Sequence, residues 1–152
     1  MIRFESEQTI DRSAEDVWAY AADVTDHPKW MAVEDAAIVH GTSGELGAVF
    51  RETIRMGPRR YVAELVVSES TPGRSIAWRV AGGVPLAGEA RLELEALGPR
   101  RTRVRWSGGF RLTGLWHVLE PVMAGEIRSS EAAELTRLKG ILEAPATVPA
   151  MA

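Results

Sequence analysis

Residues 115–144, LWHVLEPVMAGEIRSSEAAELTRLKGILEA, form the only long helical pattern in the chain. Trp116, Leu119, Met123, Ile127, Ser130, Leu138 and Ile141 recur at spacings that place them on one helix face. Most of what precedes them reads as strand. One long amphipathic helix and a run of antiparallel strands leave few ways to bury both apolar faces. The sheet must curl and take the helix into its concave side. Such an arrangement tends to leave a gap between helix and sheet, and the functional reading concerns that gap. Pro121 interrupts the helical pattern, so the spacing predicts a kink or a separate turn ending near Glu120.

The opening residues 3–10 alternate, with Phe4, Ser6, Gln8 and Ile10 on one face. A short helix follows, with Ser13 as N-cap and Glu15 and Asp16 in its first turn, where the helix dipole favours acids. DVTDHPKW (residues 23–30) reads as a loop or a second short helix. His27, before Pro28, is biased towards extended backbone. From residue 34 to 112, turn signals rich in Gly, Pro or Ser recur at short intervals: GTSGELG, MGPRR, STPGRS, AGGVP and LGPRR. Between them lie strand-length segments of one parity: Phe50, Ile54 and Met56, then Tyr61, Ala63, Leu65 and Val67, then Ile76, Trp78 and Val80. Leu86, Ala90, Leu92 and Leu94 follow, and then Val104, Trp106, Phe110 and Leu112. Arginines and glutamates fill the opposite parity. That is an antiparallel sheet covered on one side only, with seven strands in the order β-α-(α)-β6-α. Gly108–Gly109 within the last strand predicts a bulge or bend.

At 152 residues the chain makes one domain with a substantial core; we place it at 1–144, with a Pro/Ala-rich tail at 145–152. A net charge of −3 gives no basic footprint for nucleic acid. No apolar run approaches the ~20 residues of a membrane span. MIRFESEQ alternates and carries acids, unlike a signal peptide. The absence of cysteine excludes disulfides and thiolate chemistry and fits a reducing cytoplasm, the location we expect.

The opening strand running into IDRSAEDVWAYAADVTDHPKW, the turn STPGRSIAWR and the closing ELTRLKGILEA resemble the helix-grip fold of the START-like, or SRPBCC, superfamily. Within it the chain is most similar to the polyketide cyclase/dehydrase and lipid-transport family, over residues 2–144. The resemblance implies an α+β fold: seven curved antiparallel strands wrapped around a long C-terminal helix, with one or two short helices after the first strand. It implies a ligand cavity and no shared catalytic motif, because members of the family bind or transform different hydrophobic molecules.

Glu52 shares parity with Phe50 and Ile54 and therefore faces the covered side. It is either a pocket acid or a carboxylate paired with arginine or wetted at the open end. Glu126, Ser130, Glu134 and Arg137 lie on or beside the helix stripe. They either line the cavity or, for Glu134 and Arg137, form an ion pair three residues apart. His27, His40 and His117 lack the spacing of a metal site, so no metal and no other cofactor is expected. His27 reads as an exposed loop residue or as an acid/base group at a cavity entrance. The aromatics fill the core and can also wall a pocket for a flat ligand.

The leading function is binding of a lipid- or polyketide-like molecule between sheet and helix. Its lining would be Trp30, Phe50, Glu52, Ile54, Tyr61, Trp78, Leu92, Trp106, Phe110, Met123, Glu126, Ile127 and Ser130. An enzyme is the alternative: a polyketide cyclase, aromatase or dehydratase with Glu52, His27 or Tyr61 as acid/base candidates. A protein-interaction or dimer module without an open cavity is the third. A monomer or homodimer fits each of these readings.

Overall fold

The computed structural model describes residues 1–145. The tail expected from residue 145 onward lies, from 146, outside the described residues. Strand β1 (Ile2–Ile10) leads to helix α1 (Ala14–Ala22), a 3-10 turn (Val24–Asp26) and the four-residue helix α2 (His27–Trp30). Six strands follow: β2 (Asp35–His40), β3 (Val49–Met56), β4 (Arg59–Thr71), β5 (Ser75–Gly82), β6 (Leu86–Gly98) and β7 (Arg101–Leu112). A second 3-10 turn (Gly114–Leu119) precedes helix α3 (Glu120–Glu143).

The sheet order is β1-β7-β6-β5-β4-β3-β2, and every pairing is antiparallel. Short turns make β2 to β7 a meander. β1 returns to β7 in an unbroken ladder from Ile2↔Phe110 to Ile10↔Thr102. The alternation expected from the sequence is the cause of the two-faced sheet. On β7, Thr102, Val104, Trp106 and Leu112 are buried while Arg101, Arg103, Arg105 and Arg111 are exposed. Arg103 bridges to Glu7 and Glu95, and Arg105 to Glu5, across neighbouring strands on the wet face. Exposed pairs of this kind contribute little each, about 0–1 kcal/mol.

Helix α1 starts as its sequence predicts, with the Ser13 hydroxyl accepting from the Asp16 backbone N–H at 3.1 Å. His27 departs from the expected extended conformation. Its φ and ψ are −53° and −44°, because Pro28 occupies the first turn of α2, where a missing N–H costs nothing. Pro121 likewise sits in the first turn of α3, after the separate 3-10 turn.

The buried stripe of α3 is Glu134, Leu135, Leu138 and Leu142. It differs from the expected stripe at both ends, since Leu119 and Ile141 are exposed. The 3-10 turn winds at three residues per turn, so the helical phase read through residues 116–119 does not carry into α3. Polar side chains clasp the helix to the start of the chain. Arg128 donates to the Arg3 carbonyl, Lys139 to the Thr9 carbonyl, and Arg12 to the Leu142 carbonyl, while Glu143 accepts from the Asp11 N–H.

Gly108 and Gly109 form no bulge. The ladders run through them without a shift, pairing Gly108 with Phe4 and Ala90. Their role is close packing. A Cβ on Gly108 would lie 2.3 Å from the Glu89 carbonyl oxygen and 2.8 Å from the Phe4 ring. That ring stacks on Phe110 at 5.6 Å and tilts against Trp106 at 5.8 Å. The register shifts occur elsewhere, at Ile38/His40, Glu64/Leu65, Val67/Glu69 and Ala96/Gly98, where they bend the sheet. Gly108→Ala is therefore expected to cost about 2 kcal/mol or more, because backbone must move to admit the methyl. Urea denaturation measures this, and a loss under about 0.5 kcal/mol would show that the site relaxes freely.

Candidate functional site

The apolar interior is in two parts. A large cluster around Trp30, Phe50, Trp78, Trp106, Leu135 and Leu138 fills one end of the trough, and a small one around Ile2, Met56 and Leu112 fills the other. Between them lies a cavity of about 410 Å³, within the size range of small-molecule sites. Its sheet wall carries Phe50, Glu52, Ile54, Ala63, Trp78, Ala90, Trp106 and Phe110. Its helix wall carries Met123, Glu126, Ile127, Ser130, Glu131 and Glu134. The space exists because small side chains, Ala63 and Ala90 on the sheet and Ser130 on the helix, stand where core residues would otherwise interdigitate. A module without an open cavity does not fit this interior.

Three residues expected on the wall stand elsewhere. Trp30 and Leu92 are fully buried in the filled end, and Tyr61 packs, partly buried, against the small cluster. Strand parity predicts the face of a residue but not its position along the trough. Leu92 pairs with Ile76 and Trp106, one step beyond the wall residue Ala90.

His27 is neither exposed nor at an entrance. It is 0% exposed, and its ring meets Trp30, Phe50 and Trp78 edge-on, with centroids 6.1, 5.5 and 5.3 Å away. Its Nε2 lies 3.1 Å from the Ala21 carbonyl oxygen, and its Nδ1 lies 2.8 Å from Glu52 Oε1. A carbonyl only accepts, so Nε2–H is the donor there, and a further proton lies between Nδ1 and the Glu52 carboxyl. These two bonds outweigh the extended bias of a residue before proline. Glu52 therefore pairs with histidine, not arginine. It reaches the cavity wall, while His27 holds it from behind.

On α3 the chemistry centres on Glu131, which the sequence reading passed over. The spacing was there: residues 127, 131, 135 and 138 share one helix face, with a carboxyl among three apolar side chains. The Trp106 indole N–H donates to Glu131 Oε2 at 3.1 Å. Burial, then hydrogen bonding with Glu134 and the charge of Glu134, push Glu131 up to about 10. Burial also raises Glu134, against the pull of its bonds to Glu131 and to the Ala32 N–H. Glu134 Oε2 accepts that N–H at 2.8 Å, whereas no N–H reaches the buried Oε1. The proton that Glu131 retains is what keeps two neighbouring buried carboxyls from carrying two charges. The expected Glu134–Arg137 ion pair is not made. Arg137 donates to the Trp30 carbonyl at 2.9 Å, so both side chains fasten α3 to the segment after α2.

The Trp78 indole N–H, also on the wall, is buried without a partner. At the mouth, Trp116 and Met123 face inward while Leu115, Val118 and Val122 point out, 91%, 77% and 80% exposed. His40 and His117 are exposed and remote from this chemistry; His117 lies 3.5 Å from Glu120 on the turn before α3. Among the described residues no helix is long and apolar enough to cross a membrane.

A family model described as polyketide cyclase / dehydrase and lipid transport matches residues 1–143. No curated protein matches the chain. Among solved structures, a START superfamily protein from Mycobacterium smegmatis is similar over 93% of this chain and 97% of that one, with a TM-score of 0.78 and 16% identity. The Zhui aromatase/cyclase from Streptomyces sp. R1128 is similar over 93% of each chain, with a TM-score of 0.72 and 18% identity. The di-domain ARO/CYC BexL from the BE-7585A biosynthetic pathway matches 92% of this chain and 46% of its own, with a TM-score of 0.66 and 17% identity. At these identities the likeness is one of fold, the helix-grip fold.

Two outcomes follow from the buried carboxyls. Glu131 loses its proton near 4.5 when unfolded and near 10 when folded. Between those values the folded chain holds the extra proton, so stability falls as pH rises. Glu131→Gln keeps an acceptor for Trp106 and removes that slope. It is expected to raise Tm at pH 8 by about 3 °C or more with little change at pH 4.5. Calorimetry across that range decides, and parallel curves for the two proteins would take the proton away from Glu131. Glu52→Leu leaves His27 Nδ1 facing an apolar group and is expected to cost about 3 kcal/mol, with Glu52→Gln costing less than half as much. Equal losses in chemical denaturation would reject the bond as the cause.

Proposed function

The chain belongs to the polyketide cyclase / dehydrase and lipid transport family, and on that ground we propose that it binds a small hydrophobic molecule in the cavity between the sheet and α3. Family and fold are those of a START-like ligand-binding domain. The observation that carries the finer reading is the distribution of polarity in the cavity. Its middle and mouth are apolar, with Ile54, Met56, Val80, Leu86, Ile127 and Trp116, and its carboxyls gather towards the filled end. Burial of a ligand's apolar surface drives entry at about 25 cal/mol per Å². The few polar groups fix which way round the ligand lies.

One observation favours a second reading, in which the chain is an aromatase/cyclase or dehydratase. Two proton-sharing pairs, His27–Glu52 and Glu131–Glu134, serve the same end of the cavity, and the charge of Glu52 acts on both glutamates of the helix. A carboxyl that keeps its proton at neutral pH is a general acid, and a carboxylate backed by histidine is a general base. In that reading Glu131 protonates a leaving hydroxyl while Glu52 accepts the proton from the adjacent carbon. His27 acts only through Glu52, and Tyr61 has no part.

The test uses the fluorescent probe N-phenyl-1-naphthylamine and the variant Ser130→Trp, which puts an indole where the helix wall is small. The native chain is expected to bind one probe with a blue-shifted emission. The variant is expected to melt within about 3 °C of the native chain and to bind at least about tenfold more weakly. Undiminished binding by a folded variant would sink the cavity as the binding site.

A further inference from the structure

The cavity wall carries more acceptors than donors. Glu52, Glu126, Glu131 and Glu134 stand on it, and Arg55 is its single basic side chain. Two other basic side chains are near and are turned away from the cavity. His27 stands behind Glu52, and Arg137 donates to the Trp30 carbonyl. Glu134 is 5% exposed, and no N–H reaches its Oε1, so the proton kept by the neighbouring Glu131 is what the pair has to share. Trp106 holds Glu131 through its N–H edge, and Trp78 stands 5.8 Å from the Trp106 ring.

Two carboxyls three residues apart on one helix, shielded from water, need positive charge between them. A proton meets that need with one donor. An ammonium meets it with three. A ligand carboxylate would instead confront Glu52, Glu131 and Glu134 together, a repulsion that low polarity strengthens.

We propose that the cavity selects hydrophobic amines, with the ammonium set between Glu131 and Glu134 and the hydrocarbon body lying along Ile54 and Ile127 towards the mouth at Trp116. The inference rests on the cavity-binding reading above and narrows its ligand class. The charge balance is explicit. The amine brings one positive charge in as its cation, Glu131 gives one up as a proton to solvent, and the complex keeps the net charge of the free protein. The groups facing the pair are Glu52 from β3, the Trp78 and Trp106 indoles from β5 and β7, the Ala32 N–H after α2, and Arg137 on α3 itself. Arg137 is the one cation among them; its charge lowers Glu134, but it donates to the Trp30 carbonyl and does not line the cavity. Release of a proton follows because burial and the neighbouring Glu134 raise the Glu131 carboxyl far above the usual carboxylate range, and the arriving ammonium takes the proton's place.

The experiment titrates the full chain at pH 7 with decylamine, decanol and decanoate, three heads on one ten-carbon tail. Tryptophan fluorescence gives affinity, and calorimetry in two buffers of different ionisation enthalpy counts protons. Decylamine is expected to bind at least about tenfold tighter than decanol, with decanoate weakest and about one proton released per amine. Glu131→Gln is expected to shrink the amine's advantage over decanol to less than about threefold. Equal affinity for decanol and decylamine in the native chain would overturn the amine preference and leave the cavity reading intact. An advantage that survives Glu131→Gln in full would overturn the assignment of the head to this pair. Failure of all three ligands to bind would overturn the cavity reading as well.

Discussion

A sheet with one apolar face must have that face covered along its length. Only α3 can do it here. At ~1.5 Å per residue its 24 residues reach about 36 Å, close to the ~40 Å of a 13-residue strand. The cover is uneven. Leu135, Leu138 and Leu142 press into the core, while the first half of the helix meets the sheet through Met123, Ile127 and Ser130 at a distance. The cavity is the space under that half. Its size follows from where the helix is fastened: to β1 through Arg128, Lys139 and Glu143, and to the segment after α2 through Glu134 and Arg137.

Those fastenings explain why carboxyls are found in an apolar interior. Glu134 serves two purposes, since one oxygen ties down Ala32 and the other faces Glu131. Glu52 is similar, with His27 and through it the Ala21 carbonyl anchoring α2 to α1 and β3. Each acid is half structural and half exposed to the cavity. A well-packed leucine at position 131 would suit the core better than a carboxyl that keeps its proton, so the fold gives up stability at neutral pH at the place where a ligand would gain most.

The two-faced sheet was readable from the residues because the strands other than β2 alternate, and alternation has one interpretation when a single face is covered. The turn signals set the strand count, and their shortness set the meander. Three things were not readable. His27 lies in a segment whose local bias is extended, and only tertiary bonds to Glu52 and Ala21 turn it helical and bury it. Glu131 was hidden by counting the helix phase from Trp116, across a turn that does not wind like an α-helix. The limits of the cavity depend on which wall residues face small partners across the trough, such as Ala63 and Ala90, and strand parity says nothing about that.

The pairing of β1 with β7 joins Ile2 to Phe110, and the helix that covers both comes later still. A ribosome therefore releases the first strand about a hundred residues before its neighbour exists. The five sequential hairpin pairings from β2 to β7 can assemble meanwhile, but as an uncovered gutter with tryptophans along its floor. Contacts of such long sequence separation slow folding and keep apolar surface in water while the chain waits. The apolar face of the sheet thus stays in water until α3, the last element to be made, closes over it.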